Sequence, residues 1–216
     1  MSQPRKIELL VPAKNLETGI AAVNHGADAV YIGAGRFGAR QAAGNSVEDI
    51  ARLVEYAHIF GVKVYVTLNT IIKDEEVAEV EELVASLYEC GADALIVQDM
   101  GILEMNIPPI PLHASTQMDN RDAEKVAFLA RVGFPRVVLA RELSLEQIAA
   151  IHKASPATEL EVFVHGALCV SYSGQCYASE HCFGRSANRG ACAQFCRLSF
   201  DMVDAEGEVI AKGKHL

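Results

Sequence analysis

No run of this sequence approaches the roughly 18 uninterrupted apolar residues that a membrane span needs. Its opening, MSQPRKIELLVP, has neither the apolar centre nor the small-residue cleavage site of a secretory leader. Both absences predict a cytoplasmic chain that meets no membrane. Positive charge is scarce as well: 19 Lys and Arg stand against 28 Asp and Glu, a formal −9. Such a balance argues against coating nucleic acid by bulk electrostatics, while leaving room for a local basic site. The first strand-to-helix turn, PAKNLETG, lacks the glycine fingerprint of a dinucleotide fold. Neither HExxH nor paired CxxC occurs, so two familiar zinc patterns are missing. Half of the 216 residues are apolar, which excludes disorder and suffices for one substantial core.

What the chain does have is clustered thiol. Of its six cysteines, all but Cys90 fall between residues 159 and 200, at Cys169, Cys176, Cys182, Cys192 and Cys196, together with His165, His181, Arg185, Arg189 and Arg197. A thiol-rich stretch broken by Gly174, Gly184 and Gly190 after a strand-like run reads as an irregular functional loop. In a reducing compartment such clusters bind metal or do chemistry more often than they form disulfides.

Ahead of the loop, apolar runs at residues 7–12, 29–33, 62–68, 92–97, 111–115, 136–140 and 160–164 read as strands. Helical spacing follows at 16–26, 47–60, 75–90, 123–132 and 144–153, with only a short Pro-terminated segment, 100–107, after the fourth strand. Strands apolar on both faces, alternating with amphipathic helices, predict a parallel sheet. Seven of them favour an α/β chain of the TIM-type (β/α) barrel kind over a doubly wound sheet. A complete barrel takes about 250 residues, so the expected barrel is incomplete at its C-terminal end. Strands 1–7 occupy residues 1–166 and the Cys-rich loop of the same domain 167–198. Residues 199–216 are expected to form a β-hairpin and the start of a further strand, KGKHL, cut off as it begins. The unclosed barrel edge invites pairing with a second copy, a homo-oligomer.

Catalytic groups of such barrels sit at the C-terminal strand ends. Those ends carry Lys14 and Asn15, Asn69, Gln98 and Asp99, His113 with Ser115, Thr116 and Gln117, Arg141 and Glu142, and His165. Asn15 and Asp99 have a plainer reading as helix caps. The loop admits three chemistries: thiolates around an iron–sulfur cluster, zinc completed by His165 or His181, or a nucleophilic cysteine with His165 or His113 as base. The last leaves four cysteines unexplained, and the cysteine spacings match no common ferredoxin pattern. Arg185 and Arg189, within GRSANRG, suit a phosphate or carboxylate; a solvated loop is the bland alternative. Cys90, and after it Cys182, read as small buried hydrophobes, and His25, His58 and His152 as solvated or capping.

Glu161, Phe163, Gly166, Ala167, Leu168, Cys169, Gly174, Cys176 and Ser179 together resemble the signature of the collagenase-like peptidases, peptidase family U32. Ala178 stands where that signature has a larger aliphatic residue. HASTQM (113–118), ARELSL (140–145), GRSANRGACAQFCR (184–197) and KGKHL extend the similarity over nearly the whole chain. The resemblance implies a [4Fe–4S] cluster on Cys169, Cys176 and Cys192. Cys196 is the fourth ligand where the CxxxC pair supplies both thiols; elsewhere in the family that ligand lies downstream. It also implies hydroxylation of a pyrimidine in tRNA or rRNA, or of a quinone precursor, with SYSGQC and GRSANRGACAQFCR more similar to the RNA branch. On this reading His113, Glu142 and His165 shape the catalytic pocket, and Arg185, Arg189, Asn69 and Gln117 hold substrate or an anionic group. Two other readings stand beside it: a collagenase-like peptidase acting on a peptide substrate, and a non-enzymatic barrel fragment that binds zinc or a partner.

Overall fold

The computed structural model describes residues 7–38 and 44–215. The leader reading of the first six residues and the last position of KGKHL lie outside the described residues. Seven parallel strands run in sequential order: β1 (Leu10–Ala13), β2 (Ala29–Gly33), β3 (Lys63–Leu68), β4 (Ala94–Val97), β5 (Leu112–Ala114), β6 (Arg136–Val138) and β7 (Glu159–Glu161). Each pairs with the next, and β1 and β7 remain as edges. The result is the expected incomplete (β/α) barrel. Crossovers are made by α1 (Leu16–Asn24), α2 (Val47–Ile59), α3 (Val77–Glu89), α4 (Ala123–Arg131) and α5 (Leu145–Ala154), while a 3-10 turn, Met100–Glu104, serves after β4.

Helix starts follow from local chemistry. The side chains of Asn15, Ser46, Asp122 and Ser144 each accept a backbone N–H two or three residues into their helix, at 2.8–3.3 Å, as N-caps do. Asp99 accepts from Gly101 N at 2.8 Å and also from Ile72 N at 2.9 Å, so it caps one turn and anchors another. The main core lies between sheet and helices and includes Val30, Ile32, Leu53, Val66, Val84, Leu95, Leu129 and Val137. Gly19 lets α1 approach α2, because a Cβ there would stand 2.7 Å from the Leu53 methyls.

The barrel interior holds a second, smaller apolar set, Ala29, Tyr65, Ala94, Ile96 and Val138, beside a polar one. Arg136, at the start of β6, reaches Glu8 at 2.5 Å, Glu159 at 2.7 Å and Glu161 at 3.8 Å. The Tyr65 hydroxyl donates to Glu8 at 3.1 Å, and the His113 ring meets Tyr65 edge-on with centroids 4.9 Å apart.

Two expectations change at the C-terminal end. β7 stops at Glu161, and Val162, Phe163 and Val164, expected as strand, are exposed; a strand lacking a neighbour on its outer side has too few ladder bonds to hold its line. Lys212–Lys214 do not open a further strand. They finish β9 (Val209–Lys214), which pairs antiparallel with β8 (Phe200–Val203), Phe200 facing Lys214. No helix among the described residues is long and apolar enough to cross a membrane.

Candidate functional site at the C-terminal rim

The rim is first a set of hydrogen-bonded turns. After β5, Ser115 Oγ accepts from Gln117 N at 3.2 Å and from Asn69 Nδ2 at 3.4 Å. The fully buried Asn120 donates to the carbonyls of Ser115 and Val138, both at 2.8 Å, tying this turn to β6. Thr116 adds a bond to Leu139 O at 3.2 Å.

The cysteine loop is fastened over this rim at several points. Arg141 donates to Ala167 O at 2.9 Å and to Cys169 Sγ at 3.3 Å. Both oxygens of Glu142 accept from Ser173, one from its N–H and one from its hydroxyl, each at 3.0 Å. Burial alone would raise the Glu142 carboxyl, but the Ser173 bonds and the Arg121 guanidinium hold it below the usual carboxylate range. Gly174, at φ +76°, lies directly on the turn after β5: a Cβ there would stand 1.9 Å from the carbonyl oxygen of Gln117. Farther on, Arg189 forks onto Glu76 at 2.7 and 2.9 Å and donates to Ile71 O at 2.7 Å. Asn188 O accepts from Ile71 N at 3.0 Å. Inside the loop a short helix, α6 (Ala178–Phe183), places the buried Ser179 hydroxyl to accept from Ala193 N at 2.8 Å.

Several predicted site residues are redistributed. His113 does not join Glu142 and His165. It lies within β5 rather than beyond its end, 6% exposed in the barrel interior, because strand side chains alternate between faces and this one points inward. Burial and then the Arg136 guanidinium push its imidazole down to about 4. His165 is exposed and lines a cavity of about 560 Å³ with Arg141, Phe163 and Leu168. Arg189 is no anion site, since its guanidinium holds the loop to Glu76; Arg185, exposed, donates through Nε to Ala191 O at 3.1 Å. Gln117 lines a second cavity of about 470 Å³ between rim and loop, and Asn69 stays outside its walls. Cys182 is exposed, against expectation, whereas Cys90 is half-buried and donates to Leu87 O at 3.2 Å. All six thiols are free. Among the described residues, however, no three of the His, Cys, Asp and Glu side chains gather closely enough to share a metal ion. Cys169, Cys176, Cys192 and Cys196 therefore suit an iron–sulfur cluster in kind, but their arrangement here does not assemble its ligand set.

Sequence reasoning passed over Arg136, Glu8 and Glu76, whose partners lie far along the chain and leave no local periodicity, and saw Arg141 only as a strand-end residue. Gly174 was visible only as part of a motif, and Gln98 only as a strand-end residue. The Arg189–Glu76 fork makes a direct prediction. Glu76 is 7% exposed, so Arg189→Ala strips the two-pronged charge-assisted fork from a buried carboxylate, at a cost of about 2 kcal/mol. Faster hydrogen exchange at Ile71 and across residues 186–191 is the expected readout; unchanged protection there would sink the tether.

The interior pair Glu161 and His113 makes another. Burial pushes the Glu161 carboxyl up to about 7, against the pull of Arg136 and with the push of Glu8. Folded Glu161 keeps its proton where the unfolded carboxyl, ordinarily at 4.5, has lost it, so its contribution falls as pH rises from 4.5 to 7. His113 stays neutral when folded down to about pH 4, whereas the unfolded imidazole charges below 6.5; its contribution falls as pH drops through that window. Over the shared range the two slopes oppose. Glu161→Gln exposes the histidine slope, with stability rising by about 1 kcal/mol per pH unit, and His113→Phe exposes the reverse. Urea midpoints at pH 5 and 6 measure both; equal slopes in the two variants would refute the pairing.

A sequence model of peptidase family U32 matches residues 14–216. The chain belongs to this family. A solved structure described as a U32 peptidase superposes with a TM-score of 0.66, covering 100% of this chain and 90% of that one at 15% identity, a likeness of fold alone. Over 98% of its length the U32 chain is 58% identical to a protein of Escherichia coli (strain K12) named 23S rRNA 5-hydroxycytidine C2501 synthase, and covers 32% of it. It is 40% identical over 94% of its length to tRNA hydroxylation protein P1 of Bacillus subtilis (strain 168), covering 49% of that protein. The chain thus spans about a third of the first of these relatives and about half of the second.

Proposed function

We propose that this U32 chain is the barrel and thiol-loop portion of a protein that hydroxylates a pyrimidine in rRNA or tRNA. The observation that carries the reading is the 58% identity, over nearly all of the chain, to a relative named for making 5-hydroxycytidine in 23S rRNA. The peptidase reading fares worse. His113, one of the two bases considered for a nucleophilic cysteine, sits in the barrel interior, and the Cys169 thiol faces the Arg141 guanidinium. In the RNA reading Glu142, with both oxygens occupied by Ser173, positions the loop instead of moving a proton, and His165 is the exposed imidazole of the rim.

The test is complementation. An E. coli strain deleted for the rRNA synthase, given the full-length protein that contains this chain, should regain 5-hydroxycytidine by mass spectrometry of digested 23S rRNA. No hydroxylated pyrimidine in either rRNA or tRNA overturns the reading.

We also propose that Cys169, Cys176, Cys192 and Cys196 converge on a [4Fe–4S] cluster in the full-length protein, which requires the loop to rearrange. Support comes from these four thiols being free on one loop that carries five, and from the N–H donors that Arg141 and Gln194 already direct at the sulfurs of Cys169 and Cys192. Protein purified without oxygen should carry about four iron and four sulfide per chain, and Cys169→Ser should lose them. Zinc alone would restore the zinc reading; no metal would remove both.

A further inference from the structure

The cavity between loop and rim has walls that do not suit an ion. It measures about 470 Å³, within the ~300–1,000 Å³ of small-molecule sites. Two cations touch it, and both are engaged: Arg189 forks onto Glu76, and the Lys125 ammonium donates to Met118 O. Besides these cations the walls carry one carboxylate, Glu180, and the Ser186 hydroxyl, and are otherwise mainly amide, aromatic and apolar. Gln98, Gln117 and Gln175 line it, with the rings of Tyr177 and Phe128 and the thioethers of Met100 and Met118.

Two observations point to a ligand. Gln98 is 8% exposed, yet its Oε1 has no hydrogen-bond partner, and its Nε2 makes only a long 3.4 Å contact to Gln117 O. A buried carboxamide left in that state costs free energy unless a ligand or an ordered water completes it. Tyr177 and Phe128, meanwhile, are 59% and 45% exposed while lining the same cavity. Exposed aromatics gathered in a concavity offer stacking surface.

We propose that this cavity seats a single unstacked nucleobase, with the Gln98 carboxamide reading its hydrogen-bonding edge and Tyr177 or Phe128 stacking on its face. A neutral, planar ring bearing both N–H donors and carbonyl or ring-nitrogen acceptors matches an amide-lined, aromatic-walled cleft, and enzymes that modify bases take them out of the stack into such pockets. A phosphate finds no unengaged cation in these walls. The loop that forms one wall also carries Cys176, between the lining residues Gln175 and Tyr177, so a base held here would lie beside the thiol loop. The inference rests on the RNA reading above, narrowing it to a place and a set of residues.

The test titrates the chain with cytidine and uridine, and with ribose 5-phosphate as a probe without a base, followed by tyrosine fluorescence, since the sequence has six Tyr and no Trp. The nucleosides should bind and ribose 5-phosphate should not. Gln98→Leu should weaken binding about 10-fold, the scale of one hydrogen bond left unmade. Tyr177→Ala, at an exposed position where folding is not at stake, should weaken it by a similar factor through lost stacking. The proposal fails if the nucleosides do not bind, if both variants bind them as the parent does, or if ribose 5-phosphate binds equally well. The complementation assay separates the two ideas. Full hydroxylation by full-length protein carrying either substitution removes the pocket and leaves the RNA reading standing. Absent hydroxylation by the parent protein removes the RNA reading, and nucleoside binding then decides the pocket alone.

Discussion

Arg136→Met should cost this chain about 3 kcal/mol of stability, the lower end of what removing one partner of a buried ion pair costs. Arg136 is 11% exposed and is the common partner of three carboxylates, Glu8, Glu159 and Glu161. Methionine fills comparable space, so the loss is electrostatic: Glu8 and Glu161, 27% and 17% exposed against 61% for Glu159, lose the guanidinium that offset their burial and face one another. At this chain length the change corresponds to roughly 6–12 °C in Tm. The penalty should depend on pH. Without the cation the interior carboxyls hold protons more tightly, and protonation removes the repulsion, so the gap between Arg136→Met and the parent should be widest near pH 8 and narrow toward pH 5. Glu161→Gln in the Arg136→Met background should recover part of the loss. A pH-independent gap, or no recovery, would mean that packing and not charge makes Arg136 important.

Gly174→Ala should detach the cysteine loop while leaving the barrel folded. Two costs coincide there. The left-handed conformation at φ +76° penalises a side chain by about 1–2 kcal/mol. The added methyl would also stand 1.9 Å from Gln117 O and 2.6 Å from its carbonyl carbon, well inside van der Waals contact. The Gln117 turn cannot retreat, since Ser115, Thr116 and Asn120 bind it to β5 and β6. The loop must move instead, taking Ser173 from Glu142 and opening the cavity that Gly174 helps to wall. Limited proteolysis should cut residues 167–198 at least about 10-fold faster, with the barrel's unfolding midpoint little changed, as expected when a weakly attached segment opens separately from the global core. Gly174→Asn separates the two costs: asparagine tolerates φ > 0 but still carries a Cβ, so it too should release the loop. Parent-like protection in both variants would show that the close approach does not hold the loop.

The polar interior and the rim occupy opposite ends of the barrel. Its Arg136 network lies toward the N-terminal ends of the strands, Arg136 opening β6 and Glu159 opening β7. Active sites of (β/α) barrels lie at the opposite end. The interior charges are thus a matter of stability and pH response, while the chemistry proposed here belongs to the rim, where Gln98, Gln117 and Glu142 follow their strands.

The sequence by itself determined the architecture. Apolar runs of strand length, helical spacing and capping residues are local signals, each set by the residues within one element, and they placed all seven strands and five crossover helices to within a few residues. It also determined that five of the six thiols share one loop, because proximity in sequence is proximity in space on that scale. Only the tertiary structure decided which way His113 points, that Arg189 spends its charge on Glu76 113 residues away, that Arg136 gathers Glu8 from 128 residues away, and that Gly174 rests on Gln117. Those contacts join elements whose mutual placement depends on strand order and barrel curvature, and pairings of that range leave no period in the sequence from which to read them.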